Sequence, residues 1–182
     1  MGGNRVKNVI RKVGVLSIAI ASLIALSHSA SAVTIKGNDI TLRMGSGHPP
    51  FITYVKEMSK YFGPNVVKRV AKETQYKLKF KEHYSGTVVK VFDTLEGVQD
   101  GRLDIGGWCV CFDDDKAMAM NLSYYVPFGE PNAIKATQIF SSIVSKYPDI
   151  QRDYQKRYKQ KLLAVTGFNN YGLLTAFDWK RF

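Results

Sequence analysis

Strand-like and helix-like apolar spacings take turns along residues 33–182, and this alternation limits the folds open to the chain. Residues 40–44 read as a short buried strand ending in a glycine-rich turn, Gly45-Ser46-Gly47-His48-Pro49-Pro50. Phe51, Tyr54, Val55, Met58 and Phe62 then recur at the spacing of one helix face. Gly63-Pro64 should break or kink that helix. Pro64 should open a second one, because a first-turn position loses nothing by lacking an N–H. Tyr76, Leu78 and Phe80 alternate with lysines, a strand pattern, and Val88, Val91, Phe92, Leu95 and Val98 mark a helix that stops at Gly101. A strand is expected over 103–110, helices over 131–144 and 149–160, and short strands over 162–165 and 173–175. This order predicts an α/β fold, a sheet with helices on both faces.

The first 32 residues follow a different rule. Arg5, Lys7, Arg11 and Lys12 precede an apolar run over 13–26, which closes on Ala30-Ser31-Ala32. A basic start, a short apolar stretch and a small-x-small site are the parts of a cleavable secretory signal. The run is shorter than the ~20 residues that cross a bilayer comfortably. No Cys stands at the cleavage site and no twin Arg precedes the apolar run, so a lipid anchor is not expected and the general export route is favoured. The expected organisation is a signal peptide over 1–32 and one domain over 33–182, working in the periplasm without stable membrane insertion. A domain of that length has room for a core of its own.

Without the signal's four cations, 22 basic and 15 acidic residues remain, a net charge of +7. That favours anionic partners. The Lys and Arg residues are scattered over several predicted helices, and no nucleic-acid-binding signature is present, so nucleic acid is not an expected partner. The search for catalytic groups is nearly empty. After the signal only His48 and His83 remain among the histidines, and with Cys109 and Cys111 they match no metal-ligand spacing. Asp113-Asp114-Asp115 lacks the alternation of a calcium loop and reads as a solvated acidic turn. There is no Gly-x-Ser-x-Gly elbow and no Cys-x-x-Cys pair. Cys109 and Cys111 are expected as two buried thiols on one strand face. No enzyme activity, cofactor or metal is expected.

In open α/β sheets, ligands bind beyond the carboxyl ends of the strands. Three segments fall there: Gly45-Ser46-Gly47-His48, then Gly106-Gly107-Trp108-Cys109, then Gly167-Phe168-Asn169-Asn170-Tyr171. The first precedes a helix, whose free N–H groups suit a carboxylate. The second offers an aromatic wall and the third offers amides. The candidate ligand contacts are Ser46, Gly47, His48, Trp108, Cys109, Phe168, Asn169 and Asn170, with turning or packing roles as the bland alternative at each.

The order of motifs resembles the solute receptors of tripartite ATP-independent periplasmic (TRAP) transporters, the C4-dicarboxylate-binding type. It runs through Thr41-Leu42-Arg43-Met44-Gly45, Tyr84-Ser85-Gly86, the helix with Phe92, Leu95 and Val98, and Tyr125-Val126-Pro127-Phe128, to Leu162-Leu163-Ala164-Val165 and Gly167. It is strongest at Val98-Gln99-Asp100-Gly101-Arg102-Leu103-Asp104-Ile105-Gly106. The resemblance implies the first part of a two-lobed periplasmic-binding-protein fold. That receptor closes on a small organic acid and hands it to TRAP membrane permease subunits driven by an ion gradient. It also implies a longer receptor, with a carboxylate-fixing Arg in a Gly-x-x-x-Arg segment beyond Phe182. A receptor feeding an ATP-driven importer, and more remotely an exported enzyme, are the alternatives.

Overall fold

The computed structural model describes residues 33–126, 129–168, 176–178 and Lys180. The fold is mixed α/β, built on an open four-stranded sheet. Its first hairpin joins β1 (Thr34–Lys36) to β2 (Asp39–Gly45) through Gly37-Asn38. Gly37 has φ +59°, the left-handed conformation that a two-residue hairpin needs at its first position. β1 was not foreseen, although Gly-Asn between extended residues is a hairpin signal.

β2 is the central strand. It pairs in parallel with β3 (Lys77–His83) along its whole length, from Asp39 beside Lys77 to Gly45 beside His83. On its other edge it pairs antiparallel with β1 and then, at Met44 and Gly45, in parallel with β4 (Ile105–Gly106). Side chains alternate between the two faces of such a sheet. Leu42, Met44 and Phe80 share one face. There α1 (Thr53–Glu57), a turn of π-helix over Met58–Phe62, and α2 (Gly63–Glu73) follow one another. The other face carries Gly45 and Gly106, over which α3 (Thr94–Gln99) packs Thr94 and Val98. On the same face Lys77, Lys79 and Lys81 of β3 are exposed.

At Gly63-Pro64 the α-helix is interrupted by the π-turn rather than ended, and Pro64 stands in the first turn of α2, as expected. Phe62 and Gly63 keep helical angles, and the Gly63 N–H reaches back five residues to the Met58 carbonyl. The widened turn lies immediately before Pro64, which has no N–H and whose ring crowds the carbonyl four residues earlier. Gly63 also sits where a Cβ would lie 3.2 Å from Met44 Cε, so the helix rests closely on the sheet.

The strand expected over 103–110 shrinks to Ile105–Gly106. A Cβ on Gly107 would collide with Met58 Sδ, and beyond it the chain leaves the sheet and turns as a 3-10 helix over Val110–Phe112. Cys109 and Cys111 are joined in a disulfide with Cα atoms 5.3 Å apart. In an extended strand those two atoms stand about 6.6 Å apart. The expected pair of free thiols on a strand face is therefore corrected.

Further along, a 3-10 turn over Met118–Asn121 leads into α4 (Leu122–Tyr125), and α5 (Ala133–Lys146) and α6 (Pro148–Tyr158) follow. The Asn132 side chain caps α5 by accepting from the Ile134 and Lys135 N–H groups. Residues 162–165 form no strand; Gln151 instead holds the Leu162 backbone through both its amide atoms. The strand expected over 173–175 lies outside the described residues. None of the described helices is long and apolar enough to cross a membrane.

Met44, Val55, Leu78, Val89, Leu95 and Leu103 form the buried core between sheet and helices. Beside it, Arg43 and Asp104 make a two-pronged pair. Arg43 Nε and Nη2 donate to the carboxylate at 3.1 and 2.8 Å, and the Arg43 backbone N–H donates to it at 2.6 Å. The Asp104 N–H returns a bond to the Arg43 carbonyl at 2.8 Å. Both side chains are largely buried, at 15 % and 11 % exposed. Replacing Asp104 with Ala leaves the guanidinium buried without its partner. Its expected cost is about 3 kcal/mol, read as a lower urea midpoint with unchanged slope. Lys79→Ala on the open strand face should stay within about 0.5 kcal/mol of the wild type.

Candidate functional site

The parallel strands β3, β2 and β4 end together, so the loops that follow them are neighbours. The Ser46 N–H donates to the His83 carbonyl at 3.0 Å, the Ser85 N–H to the His48 carbonyl at 3.1 Å, and the Gly107 N–H to the Gly45 carbonyl at 3.0 Å. These bonds lock three strand ends into one floor. Gly47 has to be glycine. A Cβ there would lie 2.3 Å from the Val91 backbone nitrogen.

Above this floor stands a small polar cluster. The Tyr54 hydroxyl lies 2.7 Å from His48 Nδ1 and 3.3 Å from Ser46 Oγ. Ser46 Oγ also accepts the His48 N–H at 3.2 Å. Burial pushes the Tyr54 phenol above its ordinary range, against the opposing effect of the Ser46 hydrogen bond, so the hydroxyl keeps its proton at neutral pH. Aromatic rings surround the cluster. His48 packs on Phe112 with centroids 5.4 Å apart, Phe112 meets Phe92 edge-on at 4.9 Å, and Tyr54 meets Phe168 at 6.2 Å. Phe92 and Phe168 are exposed, and so form the solvent-facing rim.

A cation stands at the same end. Ser85 and Gly86 both adopt positive φ, 59° and 74°, in the turn between β3 and the helical segment. Left-handed geometry at a residue other than glycine is uncommon and is often found at ligand sites. The Lys90 ammonium lies 3.4 Å from where a Gly86 Cβ would be, and among the described residues it makes no ion pair.

The structure thus brings Ser46, Gly47, His48 and Phe168 to one place. Asn169 and Asn170 lie outside the described residues. Trp108 does not join the rings around His48 described above; it stacks on Tyr154 of α6, with centroids 6.0 Å apart. Cys109 is tied to Cys111, with its sulfur 3.6 Å from the Tyr124 hydroxyl. The backbone N–H groups of this loop are engaged within the fold. The Ser46 N–H is taken by His83, the Gly47 N–H by Thr94 Oγ1 and the His48 N–H by Ser46 Oγ, and α1 spans only Thr53–Glu57. Tyr54, Lys90 and Phe112 were not singled out from the sequence. Tyr54 read there only as part of an apolar helix face, and Lys90 sits in a loop without a motif.

An apolar groove of about 880 Å3 lies elsewhere, lined by Met118, Leu122, Tyr125, Ile143, Tyr147 and Ile150. Its one charged lining group is Asp149, which suits it poorly to an organic anion. No protein-family model, curated protein or solved structure matches the chain.

Behind the crevice, Lys116 bridges Glu96 of α3 and Asp113. The expected solvated acidic turn is corrected at Asp113, which is 1 % exposed and carries one carboxylate oxygen without a partner among the described residues. Asp114 and Asp115 are exposed. Hydrogen bonds from Lys116 to Glu96 and Asp113 raise the lysine above its ordinary range. Partial burial pushes Glu96 upward, but the Lys116 hydrogen bond and charge outweigh it and the net shift is downward. A carboxylate depressed in the folded state adds stability above its unfolded pKa and loses it as pH falls through the folded value. Stability should therefore fall as pH drops from about 5 to about 3. Urea midpoints for wild type and Glu96→Gln should differ at neutral pH and converge across that window. Parallel curves would mean that Glu96 carries none of the acid sensitivity.

Proposed function

We propose that this chain is an exported solute receptor of the TRAP type, binding a small organic carboxylate for delivery to an ion-gradient-driven permease. The observation that carries this reading is the contact of Ser46, His48 and Tyr54 at the carboxyl ends of three parallel strands, with Lys90 on the neighbouring turn. Such strand ends are where open α/β sheets hold ligands. Hydroxyls and an imidazole donate hydrogen bonds to a carboxylate, and an ammonium balances its charge. Phe92 and Phe168 cover the ligand's carbon skeleton. The basic, apolar and Ala-Ser-Ala sequence of the first 32 residues supports export. A disulfide also fits an oxidising compartment.

The secreted protein should begin at Val33, read by N-terminal sequencing. Titration calorimetry of that protein with C4-dicarboxylates, 2-oxo acids and sugar acids should find saturable one-site binding for at least one class. Lys90→Ala and His48→Ala should each weaken that binding by about tenfold or more, the scale of a charge-assisted hydrogen bond. Lys79→Ala should leave it unchanged. Absence of binding across the whole panel would overturn the carboxylate assignment.

A further inference from the structure

The disulfide offers a second chemistry, independent of the receptor reading. Cys109 and Cys111 enclose only one residue between them. The stabilisation a disulfide gives by restricting the unfolded chain grows with the length of the loop it closes, so this ring gains the least from it. The turn it sits in is already held by other bonds. The Phe112 N–H donates to the Cys109 carbonyl at 3.2 Å, the Asp113 N–H to the Val110 carbonyl at 3.0 Å, and Asn121 Nδ2 to the Val110 carbonyl at 2.8 Å. None of these three bonds uses a cysteine sulfur. Both cysteines are only half-buried, so a thiolate can reach them. The Tyr124 hydroxyl stands 3.6 Å from Cys109 Sγ, close enough to donate to a thiolate formed there. Both cysteines of the sequence are in this bond.

We propose that Cys109–Cys111 is a thiol–disulfide exchange site whose reaction partner is an external dithiol. One thiolate of the dithiol attacks Cys111 Sγ. A mixed disulfide forms, the Cys109–Cys111 bond breaks, and the electron pair leaves on Cys109 Sγ, where the Tyr124 hydroxyl donates to it. The second thiolate of the dithiol then attacks its own sulfur in the mixed disulfide and expels the Cys111 thiolate. The protein gains two electrons and, on protonation, two protons. The dithiol loses the same and becomes a disulfide. The reverse sequence re-forms the protein bond.

The test uses the secreted protein, incubated with reduced and oxidised dithiothreitol in graded ratios, quenched in acid, alkylated with a maleimide and weighed by mass spectrometry. Two thiols should appear together as the ratio rises, while the far-ultraviolet circular dichroism stays that of the native protein. Oxidised dithiothreitol should close the bond again. Tyr124→Phe should slow reduction at a fixed dithiol concentration by about tenfold, the factor that one hydrogen bond to a charged sulfur is worth. A bond that stays closed until urea unfolds the chain, or that opens only with loss of helical signal, would show a structural staple and overturn the proposal. An unchanged rate in a folded Tyr124→Phe protein would overturn the assignment of Cys109 as the leaving sulfur.

Discussion

The pair between Arg43 and Asp104 decides where the chain re-enters the sheet after α3. Asp104 precedes a strand of only two residues, too short to define its own register. The pairing of Met44 with Ile105 and of Gly45 with Gly106 is set instead by the carboxylate, which takes the Arg43 backbone N–H and two of its guanidinium nitrogens at once. A one-residue slip would turn Gly106 away from Val98, where a Cβ would already lie only 2.6 Å from that side chain. Gly-x-Leu-Asp-Ile-Gly therefore has a local physical meaning. Leu103 enters the core, Asp104 clasps β2, and Gly106 lets α3 approach.

That register also shapes the crevice. With Gly45, His83 and Gly106 ending at one level, the backbone of the first loop is used up in joining the strand ends. Rigid loops of this kind hold their side chains in fixed positions. Besides backbone, this end of the sheet presents a hydroxyl pair, an imidazole and, on the neighbouring turn, an ammonium carried on a long stem. The ammonium is the adaptable member, because lysine is a mobile point charge where arginine is a rigid fork.

What could be read from the sequence divides along physical lines. β2, β3 and the helices at 133–146 and 148–158 follow from apolar periodicity, and the structure has them within a few residues of where the spacing puts them. The loops around the strand ends were also legible as places, because a parallel sheet brings them together whatever they contain. Contacts made by side-chain tips were not legible. Tyr54 occupies a helix-face position, and only the tertiary structure turns its hydroxyl to His48. Asp113 looked like one of three solvated acids until Lys116 and Glu96 closed over it. The strand over 103–110 was misread because Cys-x-Cys spacing fits a strand face as well as it fits a bonded turn. Local pattern alone cannot separate the two.

The bonded turn is bracketed by anchors on both sides, and this bears on how far a change at the sulfurs can travel. Upstream, Trp108 is stacked on buried Tyr154. Downstream, Asp113 is buried and bound to Lys116, whose carbonyl accepts from Tyr158 at 2.6 Å while its ammonium holds Glu96. Gln160 adds a bond to the Leu95 carbonyl at 2.7 Å, tying the end of α6 to α3. Packed elements resist continuous deformation, so the segment between Trp108 and Asp113 can rearrange while its ends stay fixed. The one ring inside that segment is Phe112, which touches both His48 and Phe92. A change at the sulfurs thus reaches the aromatic rings beside His48 through Phe112, and the buried Asn121 through its bond to the Val110 carbonyl.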